Sequence, residues 1–177
     1  MKILKKVLLG IAALVVLVLI AALFVKKSYN VEREITINKP VPEVFAYVKQ
    51  IKNQDYYSKW VMIDPNMKKT FKGTDATAGF IYAWDGNKDA GKGEQEIKKI
   101  EENKRIDTEV RFEKPMESVA QFYMTTEVVN AGQTKVKWGF SSKVPYPMNI
   151  MTLFMEGMLG KDMETGLGNL KSILEKQ

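Results

Sequence analysis

The chain has 177 residues with neither cysteine nor histidine, which excludes a disulfide framework, cysteine nucleophiles, serine–histidine triads and metal sites built on thiolate or imidazole ligands. The formal net charge of +6 is concentrated at one end: Lys2, Lys5, Lys6, Lys26 and Lys27 flank an apolar run, and without them 22 basic residues face 21 acidic ones. So nearly neutral a body has no clustered positive face for nucleic acid, and no carboxylate cluster in it suggests a metal site or any other cofactor.

The apolar run, residues 7–25, reads VLLGIAALVVLVLIAALFV and carries no charge. At 1.5 Å per residue a helix of this length spans roughly the 30 Å hydrocarbon core of a bilayer, and lysines at both ends can reach the headgroups. A cleaved signal peptide is the competing reading. Its apolar region usually covers only about 7–15 residues before a small-residue cleavage site, whereas this run is longer and ends on Leu23-Phe24-Val25-Lys26-Lys27. The expected organisation is therefore a single-pass anchor over 1–28 and a folded domain over 29–177. The slight lysine excess on the amino-terminal side places that domain outside the cytoplasm by the positive-inside rule. A domain of about 150 residues can bury a full core without covalent staples.

Residues 31–37 alternate apolar and polar and predict a first strand with one buried face. Asn38-Lys39-Pro40 breaks it. A helix over 41–48 follows, with Pro42 and Glu43 suited to its first turn and Val44, Phe45 and Val48 as its inner stripe. A second short helix is predicted around 54–59, carrying Tyr56 and Tyr57 and followed by Trp60. Strands are predicted over 68–72, 79–85, 94–101, 105–113, 117–130 and 134–143. Their apolar residues keep to one side (Ile106, Val110, Phe112; Ala120, Phe122, Met124, Val128; Val136, Trp138, Phe140), and charged residues such as Asp107, Glu109, Arg111 and Glu113 take the other. That is the pattern of an antiparallel sheet wet on one face. The last segment, 148–175, has apolar residues at helical spacing, from Met151, Met155 and Met158/Leu159 through Met163, Leu167 and Leu170 to Leu174. A sheet of this size needs such a helix over its apolar face. Gly157, Gly160, Gly166 and Gly168 interrupt that helix, each at a cost of roughly 1 kcal/mol relative to alanine. Gly157 and Gly160 are expected either to let the helix approach the sheet or to leave room for a ligand.

The order is one strand, two short helices, about six more antiparallel strands and a long helix, an α+β arrangement. Four stretches resemble the START/polyketide-cyclase-like superfamily, often called SRPBCC. They are Ile35-Thr36-Ile37-Asn38-Lys39-Pro40-Val41-Pro42-Glu43-Val44-Phe45; Tyr57-Ser58-Lys59-Trp60; Trp84-Asp85-Gly86 with Gly91 and Gly93; and Gly166-Leu167-Gly168-Asn169-Leu170-Lys171. The resemblance implies a helix-grip fold, an antiparallel sheet of about seven strands wrapped around the carboxy-terminal helix with a cavity between them. It also implies functions ranging from lipid carriage and hydrophobic-ligand binding to cyclase chemistry. The apolar amino-terminal run is an addition to the basic domain.

The candidate binding residues are those expected to face that cavity. From the sheet come the aromatics Phe80, Tyr82, Trp84, Phe112, Phe122, Trp138 and Phe140, together with Met124. Small neighbours at Gly79 and Ala120 leave room beside them. Tyr and Trp need polar partners when buried, and a packed face would more often use aliphatic residues. Gln95 and Thr108 are inward polar residues that either orient a ligand or satisfy each other. Met151, Met155 and Met158 of the last helix add an adaptable apolar surface, and with Phe154 they could instead form a lid or a membrane-facing patch. The expected ligand is a hydrophobic small molecule, a lipid or an isoprenoid-like compound. Two other readings stay open: an enzyme of the cyclase or dehydratase type using Asp85 or Tyr82, and an interaction domain whose interior is filled by its own side chains. A general acid–base pair would require ionisable groups deep inside.

Overall fold

A computed structural model describes residues 2–176; Met1, Gln177 and the side chain of Lys2, one of the flanking lysines, lie outside the described residues. Helix α1 (Lys2–Phe24) is followed by strand β1 (Ser28–Ile37), helix α2 (Val41–Val48), a 3₁₀ turn (Ile51–Asn53) and two single-turn helices, α3 (Gln54–Tyr57) and α4 (Lys59–Met62). Strands β2 (Lys68–Lys72), β3 (Ile81–Asp85), β4 (Lys92–Glu101), β5 (Arg105–Lys114), β6 (Ser118–Asn130) and β7 (Gln133–Lys143) come next. A 3₁₀ turn (Met148–Met151) then leads into helix α5 (Thr152–Leu174). The seven strands form one antiparallel sheet in the order β1-β7-β6-β5-β4-β3-β2.

The sheet curls around α5, and the alternation in each strand decides what it contributes. The inner face divides in two. At one end Ile37, Val136, Ile106 and Ile97 are buried together with Val44, Phe45 and Val48 of α2 and with Leu167 and Leu170 of α5. At the other end, where β1, β4 and β6 begin and β3, β5 and β7 finish, the inner face is roofed by α4 and its flanking residues, by Gln54 of α3 and by Leu159 of α5, and it is hollow. The buried stripe of α5 is Gly160, Met163, Gly166, Leu167, Leu170 and Leu174, spaced so that one side of the helix stays against the sheet.

Three local expectations are corrected. Val128 is not buried: it pairs with Thr134 on the inner side of the sheet, but β6 has there run past its pairing with β5, and the side chain is exposed beside a register shift between Val128 and Asn130. Gly79 lies in the turn before β3 with φ of +86°, so it supplies backbone freedom rather than interior space. The expected single helix at 54–59 is two turns, α3 and α4, broken where Ser58 takes an extended conformation.

Among the described residues one helix, α1, is long and apolar enough to cross a membrane, and its side chains are almost all exposed. Its carboxy-terminal end nevertheless meets the domain. The buried Asn149 donates from Nδ2 to the carbonyls of Ala22 (2.7 Å) and Val25 (2.8 Å), the Thr152 hydroxyl lies 3.1 Å from the Lys26 carbonyl, and the Val144 amide donates to the Lys27 carbonyl (2.8 Å).

Candidate ligand-binding cavity

The hollow end of the sheet encloses a cavity of about 400 Å³, within the roughly 300–1,000 Å³ of small-molecule sites. Its floor is the sheet: Tyr82 and Trp84 of β3, Val110 and Phe112 of β5, Phe122 of β6, and Trp138 and Phe140 of β7. Tyr29 of β1 closes one side and stacks on Phe140 at 5.6 Å. The roof is Ser58, Trp60, Val61 and Ile63 around α4, with Leu159 from α5. The rim is made by two loops, one carrying Asp89, Ala90 and Gly91, the other Lys114, Pro115 and Met116. Gly91 sits at φ +67°, and a Cβ there would meet the Lys114 carbonyl oxygen at 2.4 Å, so the two loops close together only with glycine at this position. The buried Asp64 carboxylate holds the first loop, accepting from the Asn87 amide at 2.7 Å.

The aromatic walls are held in place by bonds that lead away from the interior. Trp60 is edge-on to Trp138 (5.4 Å) and Phe122 (5.9 Å), and its Nε1 donates to Asp162 Oδ2 of α5 at 3.2 Å, where the Lys59 ammonium pairs with the same carboxylate. Trp84 lies across Gly93, whose absent side chain makes the room, and donates from Nε1 to the Ala90 carbonyl at 3.2 Å. The Tyr82 hydroxyl donates to Asp55 Oδ1 at 2.7 Å, and Lys69 pairs with Asp55 at 2.8 Å. Burial, then the bond and charge of Asp55, push the Tyr82 phenol well above its ordinary range, and burial also raises Tyr29. Both phenols therefore stay protonated at neutral pH. Gln95 Nε2 donates to Thr108 Oγ1 at 2.9 Å, so these two inward polar residues are bonded to each other. Among the described residues the fully buried side-chain polar atoms lacking a partner are Thr125 Oγ1 and Asn149 Oδ1, and neither residue lines the cavity.

The residues singled out from the sequence separate into three groups. Tyr82, Trp84, Gln95, Phe112, Phe122, Trp138 and Phe140 border the cavity together. Thr108 and Met124 lie deeper, around a small second void shared with Gln95, Phe122 and Trp138, and Phe80 is buried, stacked on Phe71 at 6.3 Å, and borders neither space. Met151, Met155 and Met158 do not border it. The inward side of α5 is fixed by the stripe beginning at Gly160, and these methionines belong to the first turns of the segment, where Met151 and Met158 are exposed. The two glycines behave differently. Gly160 is pressed against the Arg33 guanidinium, 2.1 Å from where a Cβ would stand, while Gly157 faces open space. Gly166 makes the close approach to the sheet, under Trp138. Asp85 is exposed at the end of β3 and does not line the cavity.

Several lining residues were not among the candidates. Tyr29 shares the parity of Val31, Ile35 and Ile37, so extending the alternation by one step would have found it. Ser58 and Trp60 lie in the aromatic stretch that marked the resemblance. Met67, Pro115 and Met116 come from turns, whose placement no periodicity encodes.

A seven-stranded antiparallel sheet gripping a carboxy-terminal helix, with an aromatic-lined cavity between them, defines a helix-grip domain. The family described as "Polyketide cyclase / dehydrase and lipid transport" matches residues 28–175, and the chain belongs to it. No match to a curated protein sequence emerges. Similar solved structures include Ara h 8.0201 (12% identity, 85% of this chain and 99% of that one, TM-score 0.59) and a hypothetical protein, jhp0584, of Helicobacter pylori (12% identity, 84% and 88%, TM-score 0.63). The Aha1 dimer of Colwellia psychrerythraea is another (16% identity, 83% and 96%, TM-score 0.56). At these identities the likeness is one of fold.

Proposed function

We propose that residues 29–177 form a binding domain for a hydrophobic small molecule of lipid or isoprenoid-like character, and that residues 1–28 anchor it in a membrane. The observation that carries the reading is the cavity. It is large enough for a small ligand, walled by aromatic and aliphatic side chains, and the indole donors of Trp60 and Trp84 and the Tyr82 phenol are already engaged elsewhere. A ligand rich in hydrogen-bonding groups would find few partners, whereas apolar surface is removed from water at roughly 25 cal/mol per Å². The family's description, which includes lipid transport, supports the same class of ligand. Binding is favoured over acid–base catalysis because the charged side chains bordering the cavity, Asp89 and Lys114, sit at its exposed rim, and the phenols inside hold their protons.

The length and apolar character of α1 support the anchor, and the lysine distribution supports a domain outside the cytoplasm. The test is organic extraction and mass spectrometry of the full chain isolated from membranes, beside a Val110→Trp variant. Val110 lines the cavity and is buried, so tryptophan there fills the space. An apolar compound that accompanies the wild type and is lost from Val110→Trp is the expected result. Identical lipid content in both would refute cavity binding. Because the chain lacks cysteine, a cysteine placed at the exposed Glu127 reports orientation by labelling with an impermeant maleimide on intact cells.

A further inference from the structure

We propose that the domain is docked on the bilayer surface with its cavity mouth turned to the lipid, held there by a polar tie between α1 and residues 148–152. The inference rests on the reading of α1 as a membrane anchor. The last four carbonyls of a helix have no partner within it, and at a free membrane-helix end water would serve them. Here Asn149, completely buried, reaches the carbonyls of Ala22 and Val25, while the Thr152 hydroxyl lies between the Asn149 carbonyl (2.8 Å) and that of Lys26 (3.1 Å), just past the helix. Ala22 is itself buried against the domain, unlike the rest of α1. The anchor is therefore seated on the domain rather than joined to it by a loose linker.

The register of the sheet shows which end of the domain this fixes. Ser28 pairs with Lys143, Phe112 with Ser118, Lys92 with Lys114, and Asp85 with Lys92. The start of β1, beside the anchor, thus lies at the same end of the sheet as the loops that form the cavity rim. The same end carries exposed apolar side chains. Met151, Phe154 and Met158, at i, i+3 and i+7 of the segment that holds the tie, are 38%, 60% and 61% exposed and share one helix side. Leu159, the next residue, is cavity wall. Met116, on the opposite rim, is 59% exposed. Lys26 and Lys27 follow the end of α1, and Lys143 pairs with Ser28 beside them; long cationic side chains in such positions reach headgroup level. The occupant of this surface is a lipid bilayer rather than a protein, because the surface begins within a turn or two of the point where α1 would leave the membrane.

The test uses the full chain in phosphatidylcholine vesicles with a polarity-sensitive fluorophore on a single introduced cysteine. Labels at Phe154→Cys and Met116→Cys are expected to emit blue-shifted and to be quenched by spin-labelled lipid, while one at Ala131→Cys, in the β6–β7 turn at the far end, emits as in water. In an Asn149→Ala background the Phe154→Cys label is expected to lose its blue shift and become open to aqueous iodide. Water-like emission at positions 154 and 116 from chains that still float with the vesicles would overturn the docking while leaving the anchor intact. Protection that persists in Asn149→Ala would overturn the tie. Chains that do not float, or whose mass shows residues 1–25 removed, would overturn the anchor and the docking with it.

Discussion

Gly157, Gly160, Gly166 and Gly168 look alike in the sequence, yet what stands opposite each differs. A Cβ on Gly157 or Gly168 meets nothing, while one on Gly166 stands 2.8 Å from Trp138. Gly157→Ala and Gly168→Ala should each raise stability by up to about 1 kcal/mol through helix propensity. Gly166→Ala should lower it, since overpacking costs about 1–3 kcal/mol, and it should also disturb the cavity wall. Thermal unfolding of the full chain in detergent, with binding of an apolar dye as second readout, separates the two outcomes. The Gln95–Thr108 pair yields a second prediction at this scale. Thr108→Val leaves the Gln95 amide buried without its acceptor and should cost about 1–3 kcal/mol, whereas Gln95→Leu with Thr108→Val should be close to neutral. A double-mutant cycle in urea reads the difference directly.

The sheet as an element has a chemically divided surface. Its outer face carries Arg111 bonded to Glu94 (2.7 Å), Glu96 (2.9 Å) and Glu109 (2.6 Å) across β4 and β5. Glu96 is held below its usual range by the bond from Arg111 and then that from Lys98; Glu109 by Gln121 and then Arg111. Carboxylates depressed in the folded state contribute stability above their unfolded pKa and lose it as the pH falls through the folded value. The stability difference between wild type and Arg111→Met should therefore be greatest above about pH 4.5, the unperturbed value, and close below it. Its size should be about 1 kcal/mol, since these groups are partly exposed and screened by water. Urea unfolding from pH 3 to pH 7 would show it; a difference constant with pH would refute the electrostatic account. On the inner side, Asp162 ties α5 to Trp60. Asp162→Leu is expected to free that indole, with a changed tryptophan emission spectrum and weaker dye binding, because Trp60 stands between Phe122 and Trp138 in the cavity wall.

For the whole molecule, the expected consequence of a cavity is linkage. An apolar ligand that binds the folded chain only should stabilise it by about 2.7 kcal/mol at a concentration one hundred times its Kd, and Val110→Trp should abolish that increment. A denaturation series at rising ligand concentration checks this, and an unchanged midpoint in the wild type would argue against an accessible cavity. Much of the architecture was legible in the residues themselves. Strand alternation assigned Tyr82, Phe112, Phe122, Trp138 and Phe140 to the inner face, because a period of two leaves a side chain only two sides. Proline turns and apolar spacing marked α2 and the last helix, and an uninterrupted uncharged run marked α1. Other features were settled by tertiary structure alone. Helical periodicity is continuous along 148–175, so nothing in it showed that Met163, Leu167, Leu170 and Leu174 are buried while Met151 and Met158 meet solvent; that depends on where the sheet ends beneath the helix. Nor did any local pattern bring Asn149 to the end of α1 or Gly166 beneath Trp138. Periodicity is a property of neighbouring residues and is carried by the chain, whereas hollow space, and the partner a notch receives, exist only where segments far apart in sequence are brought together.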